Sequence, residues 1–383
     1  VEVKTAKGIF VASCPSGAST GSNEALELRD DDKRGVSRAI ANVNEIIAPA
    51  LIGKNPANQR EIDDAMIALD GTENKSKLGA NAMLPVSMAA ARAGAASKGV
   101  PLYKHIAELS ENKNPLKASY PLFNILNGGA HAKNDLEIQE FMVAPQKKLF
   151  SENLALGSKI FQRLTDLLVQ QFGSAPALGD EGGYAPLISK AEQALFMIKN
   201  AIANESDVSI ALDCAASEFY HGGKYEVEEG KQLSRNEMAE FYKDLASRFP
   251  IISIEDPFDE DDWEGFKEIH AALADTVIVG DDLTTINVKR IKEAETKKAC
   301  NGVIIKLNQI GTVAETIEAV KLAQSYGWKI IVSHRSGETL DTFIADLCVG
   351  TGADFLKSGS PAKEERMVKY QRLLEIEDEI NTK

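Results

Sequence analysis

Cysteine is scarce in this 383-residue chain, which argues against a disulfide-rich protein and against a cysteine-ligated zinc protein. Cys14, Cys214, Cys300 and Cys348 are far apart and form no C-x-x-C pair, so we expect reduced thiols rather than a disulfide framework or a zinc site. Long apolar runs are also missing, because no stretch approaches the roughly 18 residues of a membrane-spanning helix. These absences predict a cytoplasmic protein without a membrane span.

Positive charge is in deficit, since 43 Lys and Arg residues stand against 57 Asp and Glu residues, a net charge of −14. This balance argues against nucleic acid and anionic membrane surfaces as partners, because both attract basic faces. The sequence also lacks a Walker A motif, a Rossmann fingerprint and a G-x-S-x-G elbow. An acidic protein that binds a small anion needs local compensation from metal ions or lysines.

The length predicts two domains, because 383 residues exceed one ordinary core and a barrel accounts for about 250 of them. The polar segment SENKNPLKASY (110–120) provides the boundary. We therefore expect an N-terminal α+β capping domain over 1–112 and a catalytic barrel domain over 113–383.

Hydrophobic periodicity predicts the main elements of both domains. They are a hairpin (1–14), helices (35–50, 57–69, 79–98), two strands (121–128, 136–145), helices (149–172, 190–203) and a charged terminal helix (361–381). Pro85 predicts a kink or break in the third helix, because a mid-helix proline removes a hydrogen bond. The two successive strands depart from a simple alternation of strand and helix.

Six apolar runs in the second half of the chain each end on a charged or ionisable residue. In chain order these residues are Asp213, Glu255, Asp281 or Asp282, Lys306, His334 and Lys357. The intervals between them fit a strand, a helix and two loops. Parallel strands that alternate with helices can close into a barrel, and such barrels place their chemistry at the C-terminal strand ends. The repeat therefore predicts an α/β barrel enzyme.

Three of the six strand ends are acidic: Asp213, Glu255 and one of Asp281 and Asp282. Carboxylates gathered on one rim repel each other unless a divalent cation neutralises them. Oxygen ligands without Cys or a His cluster favour Mg²⁺, Mn²⁺ or Ca²⁺ over Zn²⁺. Any single acid could instead be a helix N-cap or a solvated loop end.

The basic strand ends suggest a proton acceptor and an anion clamp. Desolvation and a second nearby lysine would lower the pKa of Lys306 and make it a candidate base, although it could instead pair with a strand-end acid. Lys357 and the triplet His334-Arg335-Ser336 offer donors for a carboxylate and a phosphate, which the planar arginine fork suits.

Three Gly-rich loops carry further candidates. SGASTG (16–21) could be a mobile lid. GGAHAKND carries His131 and precedes Gln139 and Glu140, while GDEGG carries Glu181 on a support that we expect to be flexible. Each loop alone could also be an ordinary turn.

Taken in order, the segments PSGAST, NGGAHA, IQEFM, GDEGG, LDCAASEF, SIEDPF, DDLT, IKLNQIGT, SHRSGET, DTFIADL and KSGSPA closely resemble the enolase family. The resemblance covers essentially the whole chain, and SHRSGET with DTFIADL is its most specific part. It implies a small N-terminal α+β domain and a β/α barrel of the ββαα(βα)6 type. This topology accounts for the two successive strands noted above.

The resemblance implies two Mg²⁺ ions per active site. Asp213, Glu255 and Asp281 would bind the tightly held ion, and Ser19 on the SGAST lid would bind the second. Asp282 would lie behind these ligands.

The resemblance also implies the reaction, which is the reversible dehydration of 2-phosphoglycerate to phosphoenolpyruvate. Lys306 would remove the proton at C2. Glu181, hydrogen-bonded with Glu140, would help the C3 hydroxyl leave as water, and His131 would close over the substrate. A Lys or His base with Mg²⁺ is the general pattern of this superfamily.

The remaining candidates would bind the substrate. Lys357 would hold the carboxylate, Arg335 and Ser336 the phosphate, and Gln139 and His334 would line the pocket. We expect a homodimer whose partners are 2-phosphoglycerate and phosphoenolpyruvate, and which binds neither nucleic acid nor a membrane.

The chain departs from the family pattern away from every predicted ligand. It lacks an aromatic-Gly-Lys segment before Gly35, and the region 225–235 is short. Ala130 stands where Ser is frequent, and Pro85 where Gly is frequent. Two alternatives stay open: an enzyme of the same superfamily that acts on a non-phosphorylated carboxylate, and a catalytically idle protein kept for binding.

Overall fold

The computed structural model describes residues 1–17, 21, 23–228 and 230–382, so the predicted lid residue Ser19 lies outside the described residues. The N-terminal part is a hairpin followed by helices. Its elements are β1 (Glu2–Thr5), β2 (Gly8–Val11), α1 (Ser37–Ala41), α2 (Ala48–Leu51), α3 (Gln59–Asp70), α4 (Ala80–Lys98) and α5 (Leu102–Ser110), with a π-helical stretch (Asn42–Ile47) between α1 and α2. The predicted hairpin and helices are all present.

Helix α4 contradicts the prediction of a break at Pro85, because it is continuous from Ala80 to Lys98. Pro85 lies in its second turn and is buried. Neighbouring elements cover α4 on nearly every side, since most of its residues are buried. Tertiary packing therefore outweighs the roughly 3 kcal/mol that an interior proline costs a helix.

The second part of the chain contains a closed eight-stranded barrel. Its strands are β3 (Tyr120–Asn127), β4 (Glu140–Pro145), β5 (Val208–Asp213), β9 (Ile251–Glu255), β10 (Val277–Gly280), β11 (Gly302–Ile305), β12 (Lys329–Ser333) and β13 (Phe355–Lys357). The surrounding helices are α6 (Phe150–Phe172), α7 (Ala191–Ile202), α8 (Arg235–Arg248), α9 (Trp263–Ala272), α10 (Val288–Lys297), α11 (Val313–Ser325), α12 (Phe343–Thr351) and α13 (Glu364–Asn381). A small antiparallel sheet lies between β5 and α8: β6 (Tyr220–His221), β7 (Lys224–Glu228) and β8 (Lys231–Leu233).

The order of these elements is the predicted ββαα(βα)6 topology. Strands β3 and β4 come first and are followed by α6 and α7, after which strands and helices alternate. Strand β4 is antiparallel to both of its neighbours, and the other barrel pairs are parallel. The prediction of an α/β barrel with a smaller N-terminal α+β domain is confirmed.

Two apolar layers hold the barrel together. The inner layer fills its centre with one or two side chains from most strands: Leu122, Met142, Ala144, Ala211, Val279, Ile304, Ile331 and Phe355. The outer layer lies between the strands and the surrounding helices. Strands that are buried on both faces read as continuous apolar runs, which is why the sequence revealed them.

The N-terminal part packs against one end of the barrel. Ser87 Oγ and Asp63 accept the N–H groups of Val313 and Ala314 at the start of α11, each at 2.9 Å. Residue Ser16 pairs with Gly337, so the segment after the hairpin lies beside a loop of the barrel mouth. Among the helices of the described residues, none has the length and apolar character to cross a bilayer.

Candidate active site

Strand alternation places charged side chains on the inner face of the barrel mouth. A residue two positions beyond an interior residue points the same way. The pairs of interior residue and strand-end residue are Ala211–Asp213, Val279–Asp281, Ile304–Lys306 and Phe355–Lys357. Alternation therefore selects Asp281 over Asp282 as the residue that shares the inner face.

The register of the strands brings three carboxylates into one row. Glu140 pairs with Asp213 across β4 and β5, and Asp213 pairs with Glu255 across β5 and β9. Glu140 is the first residue of its strand, yet it reaches the same rim because β4 runs antiparallel to β5. Three neighbouring strands thus deliver acids at one level of the barrel.

A pocket opens at this rim. Eleven of the predicted site residues line it: His131, Gln139, Glu140, Glu181, Asp213, Asp281, Lys306, His334, Arg335, Ser336 and Lys357. Glu255 lies beneath the pocket surface and contacts Lys357. The structure therefore brings together all the predicted site residues that it describes.

Lys357 is the central cation of the mouth. Its Nζ donates to Asp213 Oδ2 at 2.7 Å and to the two Glu255 oxygens at 3.0 and 2.9 Å. Glu140 Oε1 is 3.2 Å away. Burial alone would lower the pKa of Lys357, but these carboxylates raise it well above its ordinary value. The side chain is therefore a buried, permanently charged ammonium.

Lys306 forms an ion pair with Asp281. The predicted lowering of its pKa is wrong for this state. Burial lowers the pKa of Lys306, as do Arg335 and Lys357, but the carboxylates of Asp281 and Glu255 outweigh them and raise it. The alternative of a lysine paired with a strand-end acid therefore describes the geometry observed, and Lys306 can accept a proton only when this pair opens.

Glu181 is held by contacts from two other parts of the barrel, and the predicted flexibility of the GDEGG loop stays a prediction. Its backbone carbonyl accepts from Ser360 N at 3.0 Å, and Asn124 donates to its Oε2 at 2.9 Å. Gly182 has a φ of 86°, and a Cβ there would lie 2.3 Å from Ser360 Oγ. Glycine at this position thus allows a tight fit against the barrel.

Glu140 and Glu181 are neighbours with opposite pKa shifts. Burial and the charge of Glu181 raise the pKa of Glu140 well above its ordinary value. Burial also acts to raise the pKa of Glu181, but His334, His131 and Lys357 together lower it well below. Glu140 Oε2 is buried without a hydrogen-bond partner, and the hydrogen bond expected between the two acids stays a prediction. Glu140 is therefore the more readily protonated member of the pair and Glu181 the more readily ionised.

His334 is fixed as a neutral ring. Arg366 Nη1 lies 2.6 Å from His334 Nδ1, so this nitrogen must accept, and the ring proton resides on Nε2. That Nε2 lies 3.2 Å from Glu181 Oε1. Burial lowers the pKa of His334 to about 3. The neutral ring therefore places its Nε2–H edge beside Glu181, although the contact is too poorly aligned for a hydrogen bond and Nε2 is buried without a partner.

Asp256 shapes the loop that carries Asp281. It has a φ of 39°, which is unusual for a residue other than glycine, and its carboxylate accepts from Asp281 N at 2.9 Å and Asp282 N at 2.7 Å. Burial, with the charges of Asp282 and Asp281, raises the pKa of Asp256 well above its ordinary value. Asp256 is not among the residues predicted from the sequence, although it directly follows Glu255 in SIEDPF.

Glu24 and Arg366 were also missed. Glu24 lines the pocket and pairs with Arg335, and only its place beside the predicted lid could have signalled it. Arg366 is 1% exposed although it belongs to the charged terminal helix α13. No sequence signal separates such a residue from the solvated charges around it.

The acids of the mouth suit a hard divalent cation. Asp213, Glu255 and Asp281 offer only oxygen donors. Burial and the charge of Asp213 raise the pKa of Glu255 well above its ordinary value, which marks a site with more negative charge than its lysines neutralise. The buried, unpartnered Glu140 Oε2 is a further sign of this imbalance.

The acidic groups that approach most closely differ from the predicted trio. Within the described part of the chain, groups with ligand atoms within 4.8 Å of one another are His131, Glu140 and Glu181, and Asp256, Asp281 and Asp282. The predicted ligands Asp213, Glu255 and Asp281 are instead paired with Lys357 and Lys306. Metal binding by that trio stays a prediction, and it requires the lysines to give way.

Family models match both parts of the chain. The N-terminal domain of enolase matches residues 1–106, and the C-terminal TIM barrel domain of enolase matches residues 116–383. Domains of this family belong to hydro-lyases that typically use Mg²⁺, which agrees with the oxygen-rich mouth of the barrel. With both domains matched, this chain belongs to the enolase family.

Proposed function

We propose that the chain is a phosphopyruvate hydratase, which reversibly dehydrates 2-phospho-D-glycerate to phosphoenolpyruvate in glycolysis and gluconeogenesis. One observation carries the proposal: a single pocket holds a lysine, a pair of carboxyls with opposite pKa shifts and an arginine with an adjacent serine. These groups match a proton acceptor, a proton donor and a phosphate site.

Lys306 takes the proton from C2 of the substrate. The ion pair with Asp281 raises the pKa of Lys306, so this pair must open first. Burial and the charges of Arg335 and Lys357 then act to lower the pKa of Lys306. A positioned base of this kind contributes about 10²–10⁴-fold to the rate, or about 3–5 kcal/mol.

Glu140 and Glu181 manage the proton at C3. The electron pair left at C2 forms the C2–C3 double bond while the C3–O bond breaks. The departing hydroxide takes a proton from the Glu140–Glu181 pair and leaves as water. His334 Nε2 lies beside Glu181 Oε1, and His334, His131 and Lys357 lower the pKa of Glu181, which favours the charge of the pair on that residue.

Lys357 and Arg335 bind the two anionic groups of the substrate. Lys357 would turn from its carboxylate partners to hold the substrate carboxylate, and Arg335 with Ser336 would hold the phosphate. Mg²⁺ bound at Asp213, Glu255 and Asp281, with a second ion at Ser19, would supply positive charge to stabilise the negative charge that develops on the substrate carboxylate.

Turnover of 2-phosphoglycerate in the presence of Mg²⁺ tests the proposal. We expect the ultraviolet absorbance of phosphoenolpyruvate to rise, and a chelator to stop the rise. A folded protein that gives no product would refute the proposal and favour an idle binding protein. If Arg335→Ala leaves the affinity for phosphorylated substrate unchanged, the phosphate assignment fails and a non-phosphorylated carboxylate becomes the better candidate.

We further propose a cytoplasmic homodimer. All four cysteines are free thiols, which agrees with a reducing compartment. Analytical ultracentrifugation across a range of protein concentrations would test the dimer, and a monomer at all of them would contradict it.

A further inference from the structure

Arg335, the proposed phosphate ligand, already holds an anion from its own chain. Its Nη1 donates to Glu24 Oε2 at 2.8 Å, and its Nη2 donates to Glu24 Oε1 at 3.3 Å. The two side chains are 4% and 6% exposed. A bidentate pair of this kind uses the same fork of the guanidinium that a phosphate would use.

Further contacts hold Glu24 in this position. Gly21 N donates to Glu24 Oε1 at 3.1 Å, and Gln309 Nε2 donates to the same oxygen at 3.3 Å. Next along the chain, Ala25 N donates to Gln309 O at 2.8 Å. The carboxylate is therefore seated in a defined set of donors between the N-terminal part and the barrel mouth.

We infer that Glu24 is an internal competitor for anions at Arg335, which a phosphorylated substrate must displace before it binds. The inference rests on the proposed function, because it takes Arg335 as the phosphate ligand. Glu24 thereby weakens the binding of every anion at Arg335 by the same factor, and additional partners in the pocket offset this loss for a phosphoryl group.

Displacement of Glu24 also changes the surroundings of Lys306, the proposed base, through two intervening residues. Gln309 Nε2 donates both to Glu24 Oε1 and to Asp281 Oδ1, the latter at 3.0 Å. Asp281 in turn is the partner of Lys306. When Glu24 leaves, Gln309 loses one of its two acceptors, so arrival of the phosphate is coupled to the surroundings of Asp281.

The variant Glu24→Gln tests the inference with inorganic phosphate as the probe. It keeps the length of the side chain but removes its charge, and charged hydrogen bonds exceed neutral ones by about 1–1.5 kcal/mol, or about tenfold in affinity. Calorimetric titration of the full chain, at fixed MgCl₂ and ionic strength, should therefore show phosphate binding about tenfold tighter in Glu24→Gln. Acetate should gain by the same factor, since both anions displace the same group.

Glu27→Gln is the matched control, because Glu27 pairs with Arg29 on the same segment and does not contact Arg335. Its phosphate affinity should equal that of the unmodified chain. If Glu24 instead positions Arg335 for the substrate, Glu24→Gln will bind phosphate more weakly, and unchanged or weaker binding overturns the inference. Failure of 2-phosphoglycerate turnover with tighter phosphate binding in Glu24→Gln would overturn only the proposed function.

Discussion

Replacing Arg366 with methionine should destabilise the protein and disorder its anion site, although Arg366 is not a proposed substrate ligand. The buried guanidinium lies 2.6 Å from His334 Nδ1 and donates to Arg335 O at 2.6 Å, Ser336 O at 2.7 Å and Asp180 O at 3.3 Å. Each acceptor left buried without a donor costs about 1–3 kcal/mol. Since methionine recovers part of the packing, we expect a loss of about 3–5 kcal/mol.

The free energy of unfolding, measured in guanidinium chloride, gives this loss directly. Lys363→Met is the matched control, because Lys363 also donates to Asp180 O, at 2.9 Å, but from an exposed position. We expect less than about 1 kcal/mol for the control. A loss for Arg366→Met as small as that of the control would refute the reasoning.

A second substitution at this position, Arg366→Lys, should release the ring of His334. In the unmodified chain ¹⁵N NMR of labelled histidine should report a neutral ring protonated at Nε2. Arg366→Lys preserves the charge but offers a single donor group, so the Nδ1 acceptor and the loop carbonyls cannot all be satisfied. We expect a mixture of tautomers and a lower kcat in this variant, and an unchanged tautomer with unchanged kcat would contradict the positioning role of Arg366.

Two further predictions concern proton transfer and acid stability. Glu181→Gln should retain exchange of the C2 proton of 2-phosphoglycerate with solvent but block dehydration, and loss of both would show that the two steps are inseparable here. The second concerns His105, which is fully buried and whose pKa burial lowers to about 4. Between pH 6.5 and 4 the unfolded chain gains a proton that the folded chain refuses, so stability should fall as the pH drops, by about 3 kcal/mol at most from this group. Urea unfolding at a series of pH values should show a shallower fall for His105→Leu, and an equal slope would contradict the assignment.

The barrel and most of its rim could be predicted because strand periodicity determines both. Asp213, Lys306 and Lys357 each follow a buried apolar run, and the alternation that buries the run also turns these residues into the mouth. The Gly-rich loops were recognisable by composition. The tight fit of Gly182 against Ser360 was not, because the two residues are remote in sequence.

The pairing of charges could not be predicted, because it depends on distances between residues remote in sequence. The pKa of Lys306 was expected to fall and instead rises, since Asp281 lies against it. Arg366 and Lys369 belong to a helix that reads as solvated, yet they are 1% and 0% exposed and hold the loop after β12. At Pro85 the local rule that proline breaks a helix gave the wrong prediction, because tertiary packing keeps the helix continuous.

Exchange of the C2 proton of 2-phosphoglycerate in D₂O, followed by ¹H NMR, tests the central claim most directly. With Mg²⁺ the unmodified chain should exchange this proton and form phosphoenolpyruvate. Lys306→Ala should abolish both while calorimetry shows that Mg²⁺ still binds. Retained exchange in Lys306→Ala would remove Lys306 as the base and contradict the account.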